Sequence, residues 1–279
     1  MDDAKAAGGQ AADFVEATMS FVIDTGQKPV SETYGDGSTV HSYHGEYENR
    51  IARIHDVREA ARGYSLDREG YRLVTHPTKV KDFFDEDEVR AVYYPELVEL
   101  VKRETGCVRA VVFDHTRRAG DEETREKHKI RGPVSTVHND YTDWSGPQRV
   151  RDILPDEADR LLQHRVQVIQ VWRAIAGPIL RSPLALCDAR TTSPQDFVAA
   201  ERRFPNRVGE IYHIAFNEKQ RWGYVPHMTR EEALVFKCYD SRKDVARFTP
   251  HGSFDAPATP PGAPPRRSME ARLLTFWAE

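Results

Sequence analysis

Pro133-Val134-Ser135-Thr136-Val137-His138-Asn139-Asp140-Tyr141-Thr142 is the stretch on which the reading of this chain turns. Residues 133–137 read as a strand that runs into the His138-Asn139-Asp140 triplet. Side chains alternate between the faces of a strand, so His138 and Asp140 share one face. An imidazole and a carboxylate on a common face, joined by a second imidazole from elsewhere, can hold iron on one side and leave its other side open.

Upstream, the charged residues 117–129 read as an exposed loop, and residues 107–115 as a strong strand. Asp85 can cap a helix bearing Val89, Val92 and Tyr93 on one face. Pro95 can open a second helix with Leu97, Leu100 and Val101 at helical spacing, which Gly106 would end. Downstream, a short helix is expected at about 156–164, then strands at 166–175, 184–187, 210–216, 222–225, 233–239 and 272–277. Many strands of similar length predict a mainly β fold with flanking helices, a double-stranded β-helix of jelly-roll, cupin-like type. We expect one domain over residues 1–279, with residues 1–60 as an N-terminal extension or lid and 107–279 as the β-helix core. Residues 1–12 should be frayed, and Gly35-Asp36-Gly37 marks a turn.

The 279 residues carry 40 Lys and Arg against 44 Asp and Glu, a formal net charge of -4 with no long run of one sign. That balance points away from nucleic acid and membranes and toward a small-molecule partner. Cys107, Cys187 and Cys238 are scattered, which argues against a disulfide framework or structural zinc and for a reducing compartment. With no apolar leader or spanning run, a soluble cytoplasmic protein is expected.

A histidine followed two residues later by an acid is common. With eleven histidines in the chain and roughly one chance in six of an acid at any position, about one or two such pairs arise by composition alone. His44-Gly45-Glu46 is indeed a second pair. It lies in a polar, turn-rich region, whereas the His138 pair leads into most of the predicted strands. The third ligand must come from a distant strand. His251, in Thr249-Pro250-His251-Gly252-Ser253-Phe254, precedes the final strand as such a ligand should; His213 and His227 are the other candidates in the β-rich half.

Fifteen residues after His251 (266 minus 251), Arg266-Arg267-Ser268 opens the last strand. A guanidinium grips a carboxylate through two parallel hydrogen bonds, and Ser268, two residues on, lies on the same side to add a third. Such a grip suits the distal carboxylate of 2-oxoglutarate. Alternation over 166–173 puts Val166, Val168, Gln170 and Trp172 on one face, so Gln170 and Trp172 are expected to line the cavity. Arg221, Trp222, Tyr224, Lys237 and Tyr239 are similar candidates.

Three blocks carry a more specific likeness: Val137 to Thr142 with Gly146-Pro147-Gln148-Arg149-Val150; Val168-Ile169-Gln170-Val171-Trp172-Arg173 through Pro183-Leu184-Ala185-Leu186-Cys187-Asp188-Ala189-Arg190; and Lys237-Cys238-Tyr239-Asp240-Ser241 through Pro250-His251-Gly252-Ser253-Phe254 to Pro265-Arg266. From about Tyr64 to its end the chain resembles the cephamycin 7-alpha-hydroxylase and gibberellin desaturase-like family of iron(II)/2-oxoglutarate oxygenases. The resemblance implies hydroxylation or desaturation of a secondary metabolite, using iron(II), 2-oxoglutarate and O2 and releasing succinate and CO2. It implies His138, Asp140 and His251 as iron ligands and Arg266 as the cosubstrate anchor, with Ser268 beside it and Arg272 as the alternative to Arg266. Asn139 stands where many relatives have an apolar residue, and residues before 60 show little family text. A homodimer or a biosynthetic partner enzyme is the further association to test. Two rival readings use the same residues: a cupin-type metalloenzyme that ignores 2-oxoglutarate, and a non-catalytic partner subunit of a biosynthetic enzyme.

Overall fold

The structure, a computed structural model, describes residues 13–34, 39–205 and 207–277. The expected fraying of 1–12 and the Gly35-Asp36-Gly37 turn lie outside the described residues. The strands are β1 (Phe14–Val22), β2 (Val30–Tyr34), β3 (Thr39–His44), β4 (Tyr47–Asp56), β5 (Tyr71–Thr75), β6 (Arg109–Ala119), β7 (His138–Asn139), β8 (Val166–Ala174), β9 (Leu184–Cys187), β10 (Phe197–Phe204), β11 (Arg207–Ile214), β12 (Trp222–Tyr224), β13 (Glu232–Asp240), β14 (His251–Ser253) and β15 (Arg267–Phe276). Among the described residues one sheet runs β1-β4-β12-β9-β14-β7-β11-β10-β2-β3 and the other β5-β13-β8-β15-β6. Together they form the expected jelly roll.

The smaller sheet shows how the period-two pattern is spent. Val166, Val168, Trp172 and Ala174 of β8 pack inward with Phe236, Leu234 and Leu274, while Ile169 and Val171 pack outward with Val235, Ala271 and Leu273. Every residue of β8 is buried, because the helix Tyr94–Thr105 covers the outer face with Leu97, Leu100 and Val101. Each such aliphatic side chain contributes roughly 1.5–3 kcal/mol by leaving water. Both helix-end expectations hold. The Asp85 carboxylate accepts from the Asp87 and Glu88 amides, and Gly106 closes the helix at φ 75°, a left-handed position suited to glycine. The two predicted helices meet through a wider π turn, Val89–Tyr93, which ends where Pro95 offers no N–H to the preceding turn.

Two local expectations differ from the structure. Residues 133–137 form no ladder; their backbone is satisfied singly, with the Val137 amide donating to Ser20 (2.9 Å) and the Val134 carbonyl accepting from the Ser253 amide (2.7 Å). Within 117–129, β6 continues to Ala119 and a helix, Glu122–His128, follows. Its signal is polar: the Asp121 carboxylate caps the Thr124 amide, with acids in the first turn and cations in the last. A further helix, Ser145–Ile153, which lies outside the expected elements, carries Gly146 and Pro147 in its first turn, where both are tolerated. Residues 14–56 supply β1 to β4, which lie toward the two ends of the larger sheet.

Candidate metal centre

At the centre of the larger sheet β7 lies between β14 and β11, with His138 directly opposite both His251 and His213. Opposed residues of antiparallel strands share a face, so these three histidines and Asp140 point into the space between the sheets. The His138 and His251 rings lie 4.5 Å apart, and His138 Nε2 is 3.6 Å from Asp140 Oδ1. One ligand atom from each of His138, Asp140 and His251 falls within 4.8 Å of the others. His44 is exposed and His227 lies in a separate hollow beside Asp56 and Arg58. His213 is held by the Tyr47 hydroxyl at Nδ1, 2.8 Å away.

Hydrogen bonds fix the tautomers. His138 Nδ1 lies 2.8 Å from the Thr136 carbonyl and His251 Nδ1 3.0 Å from the Thr249 carbonyl. A carbonyl only accepts, so each Nδ1 carries the proton and each Nε2 presents a lone pair. Burial, helped by the neighbouring His251, lowers His138 to about 4. Burial alone would raise the Asp140 carboxyl, but Arg272 and the two imidazoles outweigh it and hold it well below the usual carboxylate range. The Nε2 atoms of the two imidazoles and the Asp140 carboxylate therefore converge on one point, which is the donor set of a divalent cation.

Asn139, between the two residues on the opposite face, ties this centre together. Its amide donates to the Tyr141 and Cys238 carbonyls at 2.7 and 2.8 Å and accepts from the Thr249 amide at 3.1 Å. An apolar residue there would leave those buried groups unpaired.

On the facing sheet, Ser268, Glu270 and Arg272 alternate along β15 onto the inner face, opposite Ala174, Trp172 and Gln170 of β8. Arg266, Ser268 and Gln170 are almost fully buried, yet Arg266 Nε, Ser268 Oγ and Gln170 Nε2 have no hydrogen-bond partner. The Arg266 guanidinium lies 5.6 Å over the Trp172 ring and gives one bond to the Ser182 carbonyl, 2.6 Å. Burial, with Arg118 adding, pulls it down to about 9. Arg272 is differently engaged: it donates to Asp140 at 2.7 Å, Asp114 at 3.1 Å and Glu270 at 3.0 Å, and Glu270 also accepts from Arg118 at 2.8 Å. Sequence reading missed this chain of ion pairs, although the alternation of Ser268, Glu270 and Arg272 along one strand carried its signal. Lys237 lies apart from the cavity, buried against Asp67 and Asp240, and Trp222 packs in the core around β1 and β4.

A family model described as an oxidoreductase/YMDC permease-like domain matches residues 19–276. The chain belongs to this oxidoreductase family. The oxidoreductase is 30% identical to hydroxylase/desaturase efuI of Hormonema carpetanum over 95% of this chain and 96% of that one. It is 32% identical to hydroxylase/desaturase CTB9 of Cercospora beticola over 87% and 81%. It is also 32% identical to the Fe(II)/2-oxoglutarate-dependent dioxygenase nvfI of Aspergillus novofumigatus, over 80% and 82%. The solved iron and alpha-ketoglutarate-dependent endoperoxidase NvfI superposes with a TM-score of 0.86 at 27% identity, covering 96% of this oxidoreductase and all of that chain. Among the described residues no helix is long and apolar enough to cross a membrane.

Proposed function

We propose that this oxidoreductase is an iron(II)/2-oxoglutarate-dependent oxygenase of a small secondary metabolite, with His138, Asp140 and His251 as its metal ligands and Arg266, Ser268 and Gln170 as its cosubstrate cradle. The observation that carries this reading is the pairing of a convergent His-Asp-His donor set with three buried polar atoms that lack partners on the facing side of the cavity. A native fold rarely leaves such atoms orphaned unless a ligand completes them. Arg266 can take a carboxylate through its unpaired edge, Ser268 can add a hydroxyl, and Gln170 an amide N–H. Arg272 has its bonds committed to Asp140, Asp114 and Glu270, which favours Arg266 over Arg272 as the anchor. A cupin-type enzyme indifferent to 2-oxoglutarate would have no use for that cradle, and a non-catalytic subunit no use for the ligands.

Bound iron(II) with 2-oxoglutarate and O2 supplies oxidative decarboxylation to succinate and CO2, coupled to hydroxylation or desaturation of the substrate. The chain's part is to orient and to exclude water. The carbonyls of Thr136 and Thr249 fix the imidazoles so that each Nε2 faces the centre. Arg272 holds one oxygen of Asp140 and leaves the other toward His138. Trp172 backs the Arg266 guanidinium and shields it from water.

The finer resemblance to cephamycin 7-alpha-hydroxylase and gibberellin desaturase-like enzymes belongs to this proposal. So does a single domain with the residues before 60 as its lid, which fits the participation of β1 to β4 in the larger sheet. Three buried free thiols, Cys107, Cys187 and Cys238, fit a reducing cytoplasm. We also propose association as a homodimer or with a biosynthetic partner enzyme; sedimentation of the purified chain at several concentrations tests the first.

Titration with iron(II) or its spectroscopic substitute cobalt(II) tests the ligand set. His138→Ala and His251→Ala should lose metal binding, and His44→Ala should retain it. Arg266→Ala should bind metal normally but need about tenfold or more 2-oxoglutarate, the loss of a charge-assisted pair. Full metal affinity in His251→Ala would refute the third ligand, and a large loss in His44→Ala would move the site to the other pair.

A further inference from the structure

A cavity of about 740 Å³ opens beside Asp140 and Arg272 and runs out to the β10–β11 hairpin. Several of its cations are already spent on carboxylates: Arg117 on Glu86, Arg118 on Glu270, Arg272 on Asp140 and Asp114. Arg202 and Arg207 are not. They make no ion pair among the described residues and instead lie over the Phe204 ring, 5.4 and 4.4 Å from its centre.

Register places both on the catalytic face. Arg202 stands opposite Gly209 and Phe204 opposite Arg207; on the same strands Val198 stands opposite His213, which faces His138. Every second residue shares a face, so Arg202 and Arg207 project to the side of His138 and His251. Arg202 lies four residues from Val198 (202 minus 198), roughly 13 Å along the sheet from the line of histidines. Burial, with Arg131 adding, lowers Arg202 to about 10, and burial with Arg149 adding lowers Arg207. Arg202 is partly buried with no carboxylate in ion-pair contact among the described residues, and Arg207 stands exposed beside it at the cavity; an anion bound between them relieves the cost of the desolvated Arg202 charge. Among the polar side chains of the wall stand several apolar ones: Tyr141, Ile211 and Phe204 line the cavity, and Trp144 is exposed at it, 51%. Exposed large apolar side chains at a cavity mark a surface that a ligand covers.

We propose that this cavity takes a substrate with an apolar body and a carboxylate, the carboxylate held by Arg202 and Arg207 and the body laid along Phe204, Tyr141 and Trp144 toward the metal centre. The proposal deepens the oxygenase reading and rests on it only for what happens at the far end of the cavity.

The test is calorimetric titration of the full-length chain with 1-naphthylacetate and with its methyl ester, run without metal and again with iron(II) and 2-oxoglutarate under anaerobic conditions. The acid should bind about tenfold or more tightly than the ester. In the Arg202→Gln/Arg207→Gln double variant that preference should vanish while ester, metal and 2-oxoglutarate affinities persist. Arg202→Lys should keep part of the preference, which separates lost charge from lost fold. Equal binding of acid and ester, no saturable acid binding up to about 1 mM, or a double variant that loses 2-oxoglutarate instead would each overturn the proposal. Acid selectivity in the metal-free chain that depends on both arginines would sustain it even if the metal or cosubstrate assignments failed.

Discussion

At the scale of single residues, chemistry in this protein is decided by what each polar atom already holds. Arg266, Ser268 and Gln170 leave atoms unsatisfied, and Arg272 leaves little of its guanidinium free. Arg266, just before β15, and Arg272 within it thus divide the work, one open to a ligand and one orienting Asp140. Groups that orient a metal ligand typically contribute 10–100-fold to metal affinity. Arg272→Gln should therefore weaken cobalt(II) binding by about that factor with the 2-oxoglutarate requirement of the loaded enzyme little changed. A variant that bound cobalt(II) as the parent does would reduce Arg272 to a structural ion pair. Asn139 shows the same logic in reverse: its amide serves three backbone groups, which explains a polar residue where an apolar one is expected.

At the scale of elements, the helix Ser145–Ile153 forms a wall of the substrate cavity through Trp144, Ser145, Gln148 and Arg149. Its seat depends on Gly146. A methyl group there would stand 2.6 to 2.8 Å from the ring of Tyr239, a buried side chain on β13, so ring or helix must move. Overpacking of this kind costs about 1–3 kcal/mol. Gly146→Ala should lower the urea midpoint accordingly, and a melting temperature equal to the parent's would mean that the helix shifts freely. The helix Tyr94–Thr105 is the contrasting case. Its apolar spacing, Pro95 and Gly106 were legible because each signal is local, whereas the Glu122–His128 helix buries only Thr124 and offered no apolar period to read. The strand β10 was likewise absent from the expected strands, since Glu201, Arg202 and Arg203 offer no apolar alternation, yet Arg202 faces the cavity.

At the scale of the whole molecule, burial of uncharged histidines couples stability to pH. Burial, with Arg173, His251 and His138 respectively adding, lowers His76 and His138 to about 4 and His213 to about 3. In the unfolded chain a histidine takes up its proton near pH 6.5. The unfolded state therefore binds more protons than the folded one over the interval below about 6.5, and stability, full above it, declines as pH falls toward 4. Urea midpoints of the metal-free chain should drop steadily from pH 7 to pH 4, more than the carboxylates alone would cause; His213→Gln should flatten part of that slope. An unchanged slope in that variant would show that His213 titrates in the fold as it does in the open chain. The same whole-molecule view separates two kinds of information. Alternation on β8, the Asp85 and Gly106 helix ends, the jelly-roll class and the candidates His138, Asp140, His251, Arg266, Ser268 and Gln170 were all readable from the chain, because periodicity, capping and ligand type are properties of neighbouring residues. The meeting of β7 with β14 and β11, the commitment of Arg272 to Asp140, the orphaned atoms of the cradle and the facing of Arg202 and Arg207 into the cavity were decided only by tertiary structure. Each depends on strand register and burial that bring distant parts of the chain together, where packing of the two sheets, and no local preference, sets which atoms meet.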